Sequence, residues 1–166
     1  MLTLVSMSNQ IIDPSIWRAE NPFIIMIDVM PEDIDDFKHV NNVVYIGWMS
    51  RVAWAHSKAL GFDFARYQEL DCGFVVRRHE IDYRQACLPG ETVAIATWVT
   101  QNDGRMYLRR RFQMVGTKSL KTLAYGMSDF VSMKISTGKA CRMPEAFKAG
   151  YPAAHAVEDS FSVAKR

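Results

Sequence analysis

A single helical pattern of apolar residues, in a chain whose other patterns are typical of strands, constrains the fold more than any other feature. From residue 43 to residue 60 apolar side chains recur at helical spacing, and a second apolar stripe lies beside the first. Polar residues occupy only one narrow face, so we expect a helix that is buried over most of its circumference. Asn41 or Asn42 can cap its start, since a short side-chain carbonyl accepts a first-turn N–H, and Gly61 can end it.

Strand patterns lie on both sides of this helix. A run rich in β-branched residues, 23–30, precedes it and ends at a proline. Four further runs follow the helix and are joined by turn sequences: 73–86, 92–100, 106–115 and 120–135. This order predicts an α+β fold in which a curved antiparallel sheet of about five strands wraps around one long central helix. The open edges of such a sheet favour pairing into an oligomer.

The length of 166 residues, with 49% hydrophobic and 23% charged residues, fits one globular domain. We expect an N-terminal extension over 1–21, the folded domain over 22–147 and a loosely held C-terminal tail over 148–166. The net charge of +2 is too small to indicate nucleic-acid binding.

The sequence also indicates the cellular compartment. No apolar run approaches the roughly 20 residues that cross a bilayer, and the first residues lack the pattern of a signal peptide, so we expect no membrane association. The three cysteines have no metal-ligand spacing and are typical of a reduced compartment. We therefore expect a cytoplasmic protein with no bound metal.

The segment directly before the helix is the first candidate for a catalytic site. It contains carboxylates, an imidazole and two amides, at 33–42. The N–H groups at a helix start are unpaired and lie at the positive end of the helix dipole. They can polarise a carbonyl oxygen while a side chain attacks the carbonyl or activates water. The alternative for Asp35, from the residues alone, is a carboxylate that caps the helix, as Asp33 or Asp36 also could.

The pattern Asp-x-x-x-His-Val-Asn-Asn-x-x-Tyr runs from Asp35 to Tyr45. It resembles the signature of the hotdog-fold acyl thioesterases, both those related to 4-hydroxybenzoyl-CoA thioesterase and the plant-type acyl-ACP thioesterases. The resemblance covers roughly 22–146, with weaker matches at 81–83, 89–93 and 137–139. The chain departs from the family at Lys38, where a glycine is usual, and at Asn42, where some relatives have a histidine.

The resemblance implies a hotdog fold and the hydrolysis of an acyl-CoA or acyl-carrier-protein thioester, in fatty acid metabolism, without metal or cofactor. It implies that Asp35 is the nucleophile or general base, and that the backbone at Asn42 holds the carbonyl oxygen. From the residue itself, three roles are open to His39: it can orient Asp35, bind the substrate or donate a hydrogen bond to the loop. The remaining expected contacts of the substrate are Val40, Asn41, Tyr45 and Tyr83. The resemblance also implies a homodimer or tetramer in which residues 81–84 of a second chain complete the site.

Two other functions stay open. A hotdog hydratase or dehydratase would need a histidine paired with a carboxylate or an amide at a spacing that the segment does not have. A non-catalytic hotdog protein would bind an acyl group or a partner chain without reacting, since a fold does not fix a function.

Basic residues are available for the phosphates of a CoA or carrier-protein substrate, and the planar fork of arginine suits this role. Alternating charges on strands more often mark a solvated face, so none is singled out. The candidates are Arg77, Arg78, Arg84, Arg109, Arg110, Arg111, Lys134 and Lys139.

Overall fold

The structure is a computed structural model that describes residues 12–162, and its main elements follow the predicted order. Strand ends differ from the prediction by a few residues. The bounds are β1 Phe23–Asp28, α1 Asn42–Ala59, α2 Phe64–Glu69, β2 Gly73–Tyr83, β3 Thr92–Asn102, β4 Tyr107–Gly116, β5 Thr122–Met133, α3 Glu145–Gly150 and α4 His155–Ser162.

The strands form one antiparallel sheet in the order β1-β3-β4-β5-β2, so β1 and β2 are its edges. The core lies between α1 and the inner face of this sheet, where Tyr45, Trp48, Met49 and Val52 are buried. Gly126 in β5 allows the close approach, because a Cβ there would lie 2.8 Å from the Met49 sulfur. The predicted α+β architecture is confirmed.

Helix α1 is not buried over most of its circumference, and that prediction is wrong. Val43 is 72% exposed and Trp54 is 41% exposed, with Ile46 beside them. The sheet of a single chain covers one side of the helix only. Ile46 and Trp54 therefore face outward and form part of one wall of an open cleft.

The C-terminal residues are packed rather than loosely held, as far as residue 161. Phe147 and Tyr151 are fully buried against Phe62, while Val157 and Phe161 pack on the outer face of the sheet. Each pair is spaced i, i+4: Val157 and Phe161 lie on one face of α4, and Tyr151 follows directly after the last residue of α3. The alanines and prolines around them hid this pattern in the sequence. Residues 1–11 of the predicted extension and 163–166 of the predicted tail lie outside the described residues.

Two of the arginines considered for phosphate lie on this outer face and are already paired. Arg109 donates to Asp129 at 2.7 Å, and Arg111 donates to Glu158 of α4 at 3.0 Å. The Arg109 pair joins β4 to β5, and the Arg111 pair fastens α4 to β4.

A β-bulge changes the direction of the side chains along β2. The register shifts between Val76 and Arg78, so that Val76 and His79 face the same side of the sheet. Strict alternation along the run 73–86 would place Val75 on the same face as His79; instead Val75 faces outward. The bulge brings His79 to the inner face, beside α1.

Across residues 12–162 no helix is long and apolar enough to span a membrane. The same residues contain no group of three or more His, Cys, Asp or Glu side chains that could hold a metal ion.

Candidate active site

Asp35 lies in a tight turn that leads into α1. Its N–H donates to the His39 carbonyl at 2.8 Å, and the turn is closed by a β-bridge between Ile34 and Val40. The N–H of Asn41 donates to the Asp33 carbonyl at 2.8 Å, which holds the turn against the helix start. Short-range backbone bonds thus position the carboxylate beside the first turn of the helix.

The Asp35 carboxylate is held by one oxygen only. Oδ1 accepts from the N–H of Phe37 at 2.9 Å and from the N–H of His39 at 3.3 Å. Within the described chain Oδ2 has no hydrogen-bond partner. The side chain is half-buried, so this oxygen is fixed in direction and open to a ligand. Asp33, by contrast, uses its carboxylate to accept from the N–H of Met30.

Lys38 has a φ of +62°, in the left-handed region that glycine adopts without strain. This is one of the two positions, with Asn42, at which the chain departs from the pattern it resembles. The turn keeps its closed geometry with lysine in place, since the N–H of Lys38 donates to the Asp35 carbonyl at 3.0 Å.

The start of α1 has one capped and one available N–H. The Asn41 side chain accepts from the N–H of Val43 at 3.0 Å, which makes Asn41 the N-cap. For the N–H of Asn42 the described residues provide no acceptor. This donor lies at the positive end of the helix dipole, where a carbonyl oxygen is favoured.

The other predicted site residues surround this point at different depths. The Tyr83 hydroxyl donates to the Asn42 carbonyl at 2.9 Å, within one chain. Tyr45 is buried beneath, with its ring edge-on to that of Tyr83, and burial raises the pKa of its hydroxyl. Val40 is buried in the core, and the His39 side chain is exposed. The structure therefore brings the predicted residues into one region, with Val40 and Tyr45 as its floor.

A cleft of about 280 Å³ extends along the outward side of α1, between the helix and strands β2, β4 and β5. Ile46 and Gly47 line it near the helix start, and Ser57 lines it near the helix end. The walls are mainly apolar. Such a shape suits a narrow apolar group that enters from the helix start.

A row of polar side chains crosses the sheet beneath this cleft. Arg110 in β4 lies opposite Ser128 in β5, which lies opposite His79 in β2. Directly opposite residues point to the same face. The His79 Nδ1 and Ser128 Oγ are 2.8 Å apart, and burial lowers the pKa of His79.

Arg110 is the most buried charge of the row, at 2% exposure. Its guanidinium donates to His56 Nδ1 at 2.8 Å and to Ser57 Oγ at 3.1 Å. Burial, with the nearby Arg110 charge, lowers the pKa of His56 to about 4, so this imidazole is neutral at pH 7.

The sequence did not single out this row. Arg110 stood among the apolar side chains of an alternating strand, between Leu108 and Phe112, and that inward position was the available signal. His79 could not have been placed, because its direction depends on the bulge in β2.

One family model and several solved structures are similar to this chain. The thioesterase-like superfamily model matches residues 29–150. Among curated proteins none matches this chain.

Solved structures resemble the chain at low sequence identity. A Staphylococcus aureus protein solved in complex with CoA has a TM-score of 0.72 at 15% identity, over 78% of this chain and 81% of that one. DHNA-CoA thioesterase from Staphylococcus aureus has a TM-score of 0.70 at 18% identity, over 86% and 91%. The 12:0-ACP thioesterase from Umbellularia californica has a TM-score of 0.68 at 17% identity, over 79% of this chain and 54% of that one. The shared fold is the hotdog fold, as predicted.

Proposed function

The chain belongs to the thioesterase-like superfamily, and on that premise we propose that it hydrolyses an acyl thioester to a free carboxylic acid and a thiol. The observation that carries the proposal is the Asp35 carboxylate, whose Oδ1 is fixed by two N–H donors while Oδ2 is open, directly before the start of α1.

The reaction needs a group that attacks the thioester carbonyl and a donor that stabilises the oxygen. As a nucleophile, Asp35 Oδ2 bonds to the carbonyl carbon, the thiolate leaves, and water then cleaves the resulting anhydride. As a general base, Oδ2 takes a proton from water while the water oxygen bonds to the carbonyl carbon, and the thiolate leaves as the tetrahedral intermediate collapses to the acid. Both routes develop negative charge on the carbonyl oxygen. The Asn42 N–H is the donor for it, a role worth about 3 kcal/mol in enzymes studied by mutagenesis.

The remaining residues support this centre in the proposal. Asn41 caps the helix and Tyr83 fixes the Asn42 carbonyl, which together orient the Asn42 N–H. Val40 and Tyr45 support the loop from the core, and the exposed His39 lies on the side from which substrate arrives. The acyl group occupies the cleft along α1.

We propose CoA as the first carrier to test, with an acyl-carrier-protein as the second. Structural relatives include a protein solved with CoA and an ACP thioesterase, so both carriers occur on this fold. We also propose a homodimer through the open edge of β2, where the cleft is uncovered on the side of Val76.

The test is thiol release from a panel of acyl-CoAs and acyl-carrier-proteins by the wild type, Asp35→Asn and Asp36→Asn. Asparagine keeps a carbonyl oxygen that accepts the two N–H bonds, so the turn stays closed while the charge is lost. We expect kcat/KM to fall by about a hundredfold or more in Asp35→Asn, because nucleophilic or base catalysis is removed. Asp36 is exposed one residue away, and its variant should keep nearly full activity.

Equal losses in the two variants would mean that Asp35 is not in the chemistry. A wild type that releases no thiol from any carrier would contradict the hydrolase proposal itself and leave a binding role.

A further inference from the structure

The Arg110 guanidinium is a buried cation in the wall of the apolar cleft. No carboxylate of the described residues pairs with it. Among the described residues, the Arg110 guanidinium donates to two neutral groups, His56 Nδ1 and Ser57 Oγ. Within residues 12–162, the arginines that form ion pairs are arginines other than Arg110, such as Arg109 and Arg111.

This position is costly for the folded protein. A buried charge is tolerated when it is paired or hydrogen-bonded, and neutral partners offset only part of the lost hydration. The Arg110 guanidinium lies 5.7 Å from the ring centre of Tyr151, whose hydroxyl is 2.5 Å from that of Tyr67. The aromatic groups add favourable contacts without opposite charge. The site thus keeps an unneutralised cation inside an apolar wall.

The position of the cation within the cleft suits the far end of an acyl group. Tyr83 touches the helix start, and His79 lies four residues earlier in β2, or about 13 Å along the strand. Ser57, which binds the guanidinium, lies fifteen residues beyond Asn42, or about 22 Å along the helix. Between them the walls are lined by apolar groups such as Met49 and Ala53. The cleft is therefore apolar near the proposed carbonyl site and cationic further in.

We propose that Arg110 binds a carboxylate at the distal end of the acyl group, so that the preferred substrate is a thioester of a dicarboxylic acid joined to its carrier at one end. This inference rests on the proposed hydrolase function and adds the substrate class. The planar guanidinium matches a carboxylate in charge and geometry, and Ser128 with His79 supplies further hydrogen-bonding groups in the same row.

The test compares pairs of substrates with equal numbers of carbons. The CoA monothioesters of suberate, sebacate and dodecanedioate are set against octanoyl-, decanoyl- and lauroyl-CoA. The ω-hydroxyacyl-CoAs form a third arm that keeps the oxygen and removes the charge. In the wild type we expect kcat/KM for at least one dicarboxylic substrate to exceed that of its plain partner by about tenfold or more.

The variants are Arg110→Met, Arg110→Lys and the control Arg105→Met, at an exposed position in the β3–β4 turn. Arg110→Met should reduce the preference for the dicarboxylic substrate by roughly tenfold to a hundredfold, the range for a hydrogen bond to a charged group. Arg110→Lys keeps the charge without the fork and should retain part of the preference. Arg105→Met should leave the preference unchanged.

The inference is overturned if the wild type prefers the plain acyl-CoA of every pair, or if a folded Arg110→Met keeps the wild-type preference. Calorimetric binding of free sebacate against free decanoate separates this inference from the hydrolase proposal, because it needs no turnover. Tighter binding of sebacate by the wild type supports the carboxylate site even if no thiol is released. This binding comparison uses the wild type alone, so it also tests the inference if Arg110→Met does not fold.

Discussion

Lys38 has a backbone conformation that is unfavourable for lysine. The turn that holds Asp35 requires a positive φ at this position, and lysine adopts it at a cost of about 1–2 kcal/mol relative to an ordinary conformation. The family's preference for glycine there therefore has a conformational cause. The sequence revealed the departure from the motif, but only the backbone angle explains it.

Lys38→Gly should increase the free energy of unfolding by about 0.5–1 kcal/mol. Glycine removes the backbone strain, but its greater conformational entropy in the unfolded chain cancels part of that stabilisation. The measurement is urea unfolding at pH 7. Lys38→Ala keeps a Cβ at the same φ and should show no such gain. A stabilisation of equal size in the alanine variant would mean that the lysine side chain, not the backbone, is responsible.

His56 links stability to pH through its contact with Arg110. Its folded-state pKa of about 4 lies below the ordinary value of 6.5, because burial and the Arg110 charge disfavour the imidazolium. Between these values the unfolded chain binds a proton that the folded chain does not. The contribution of His56 is therefore fully present above pH 6.5 and is lost as the pH falls toward 4.

We expect the free energy of unfolding to drop by on the order of 2 kcal/mol from this group between pH 7 and pH 4. His56→Gln keeps an acceptor for Arg110 and cannot titrate, so its unfolding free energy should fall less over this range. The exposed His155 offers a control, and His155→Gln should keep the wild-type slope. An unchanged slope in His56→Gln would show that this imidazole is not the group responsible.

At the scale of elements, sequence patterns predicted most of the fold and part of the site. The helix, the five strands and the position of Asp35 directly before the helix follow from periodicity and local motifs, which act over a few residues. The bulge in β2 and the packing of α3 and α4 depend on contacts between distant segments, such as that of Tyr151 with Phe62. The inward row of Arg110, Ser128 and His79 depends on register, which no single run of residues specifies.

Two glycines in helices should respond to alanine with opposite signs. At Gly47 in α1 an added Cβ would meet nothing within 4 Å, so Gly47→Ala should stabilise the protein by about 0.5–1 kcal/mol through helix propensity. At Gly150 in α3 a Cβ would lie 2.2 Å from Phe62 Cε2. Gly150→Ala should therefore destabilise by about 1–3 kcal/mol, the range for overpacking.

Thermal and urea unfolding of the two variants gives the comparison directly. If Gly150→Ala were neutral, the packing of α3 against Phe62 would be looser than the structure describes. If Gly47→Ala were destabilising, the open space above that turn would be occupied by another group.

At the scale of the whole molecule, a second chain can bind only to surfaces that the chain does not already cover with its own residues. Trp17 and α4 pack on the outer face of β3 and β4, so that face is occupied within one chain. The inner side of β2 remains open, with Val76 47% exposed beside the cleft and Val75 exposed on the other side of the strand. An unpaired edge with apolar side chains favours pairing with a second strand.

We predict a dimer of the 19.0 kDa chain, formed through β2 rather than β1. Val75→Lys combined with Val76→Lys should give a monomer in sedimentation analysis, because charged side chains on an edge strand oppose pairing. Ile24→Lys combined with Met26→Lys places the same charges on the β1 edge and should leave the dimer intact. A monomeric wild type, or dissociation by the β1 variant alone, would refute this assignment.

The exposed indole on α1 gives the cleft an optical signal. Three of the four tryptophans, Trp17, Trp48 and Trp98, are buried, whereas Trp54 lies in the cleft wall. An indole in contact with water emits at longer wavelengths than one in apolar surroundings, so the red edge of the intrinsic fluorescence comes from Trp54. An acyl group or a second chain that excludes water from this indole shifts that emission to the blue. Occupancy of the cleft can thus be followed by light, with no label and no turnover.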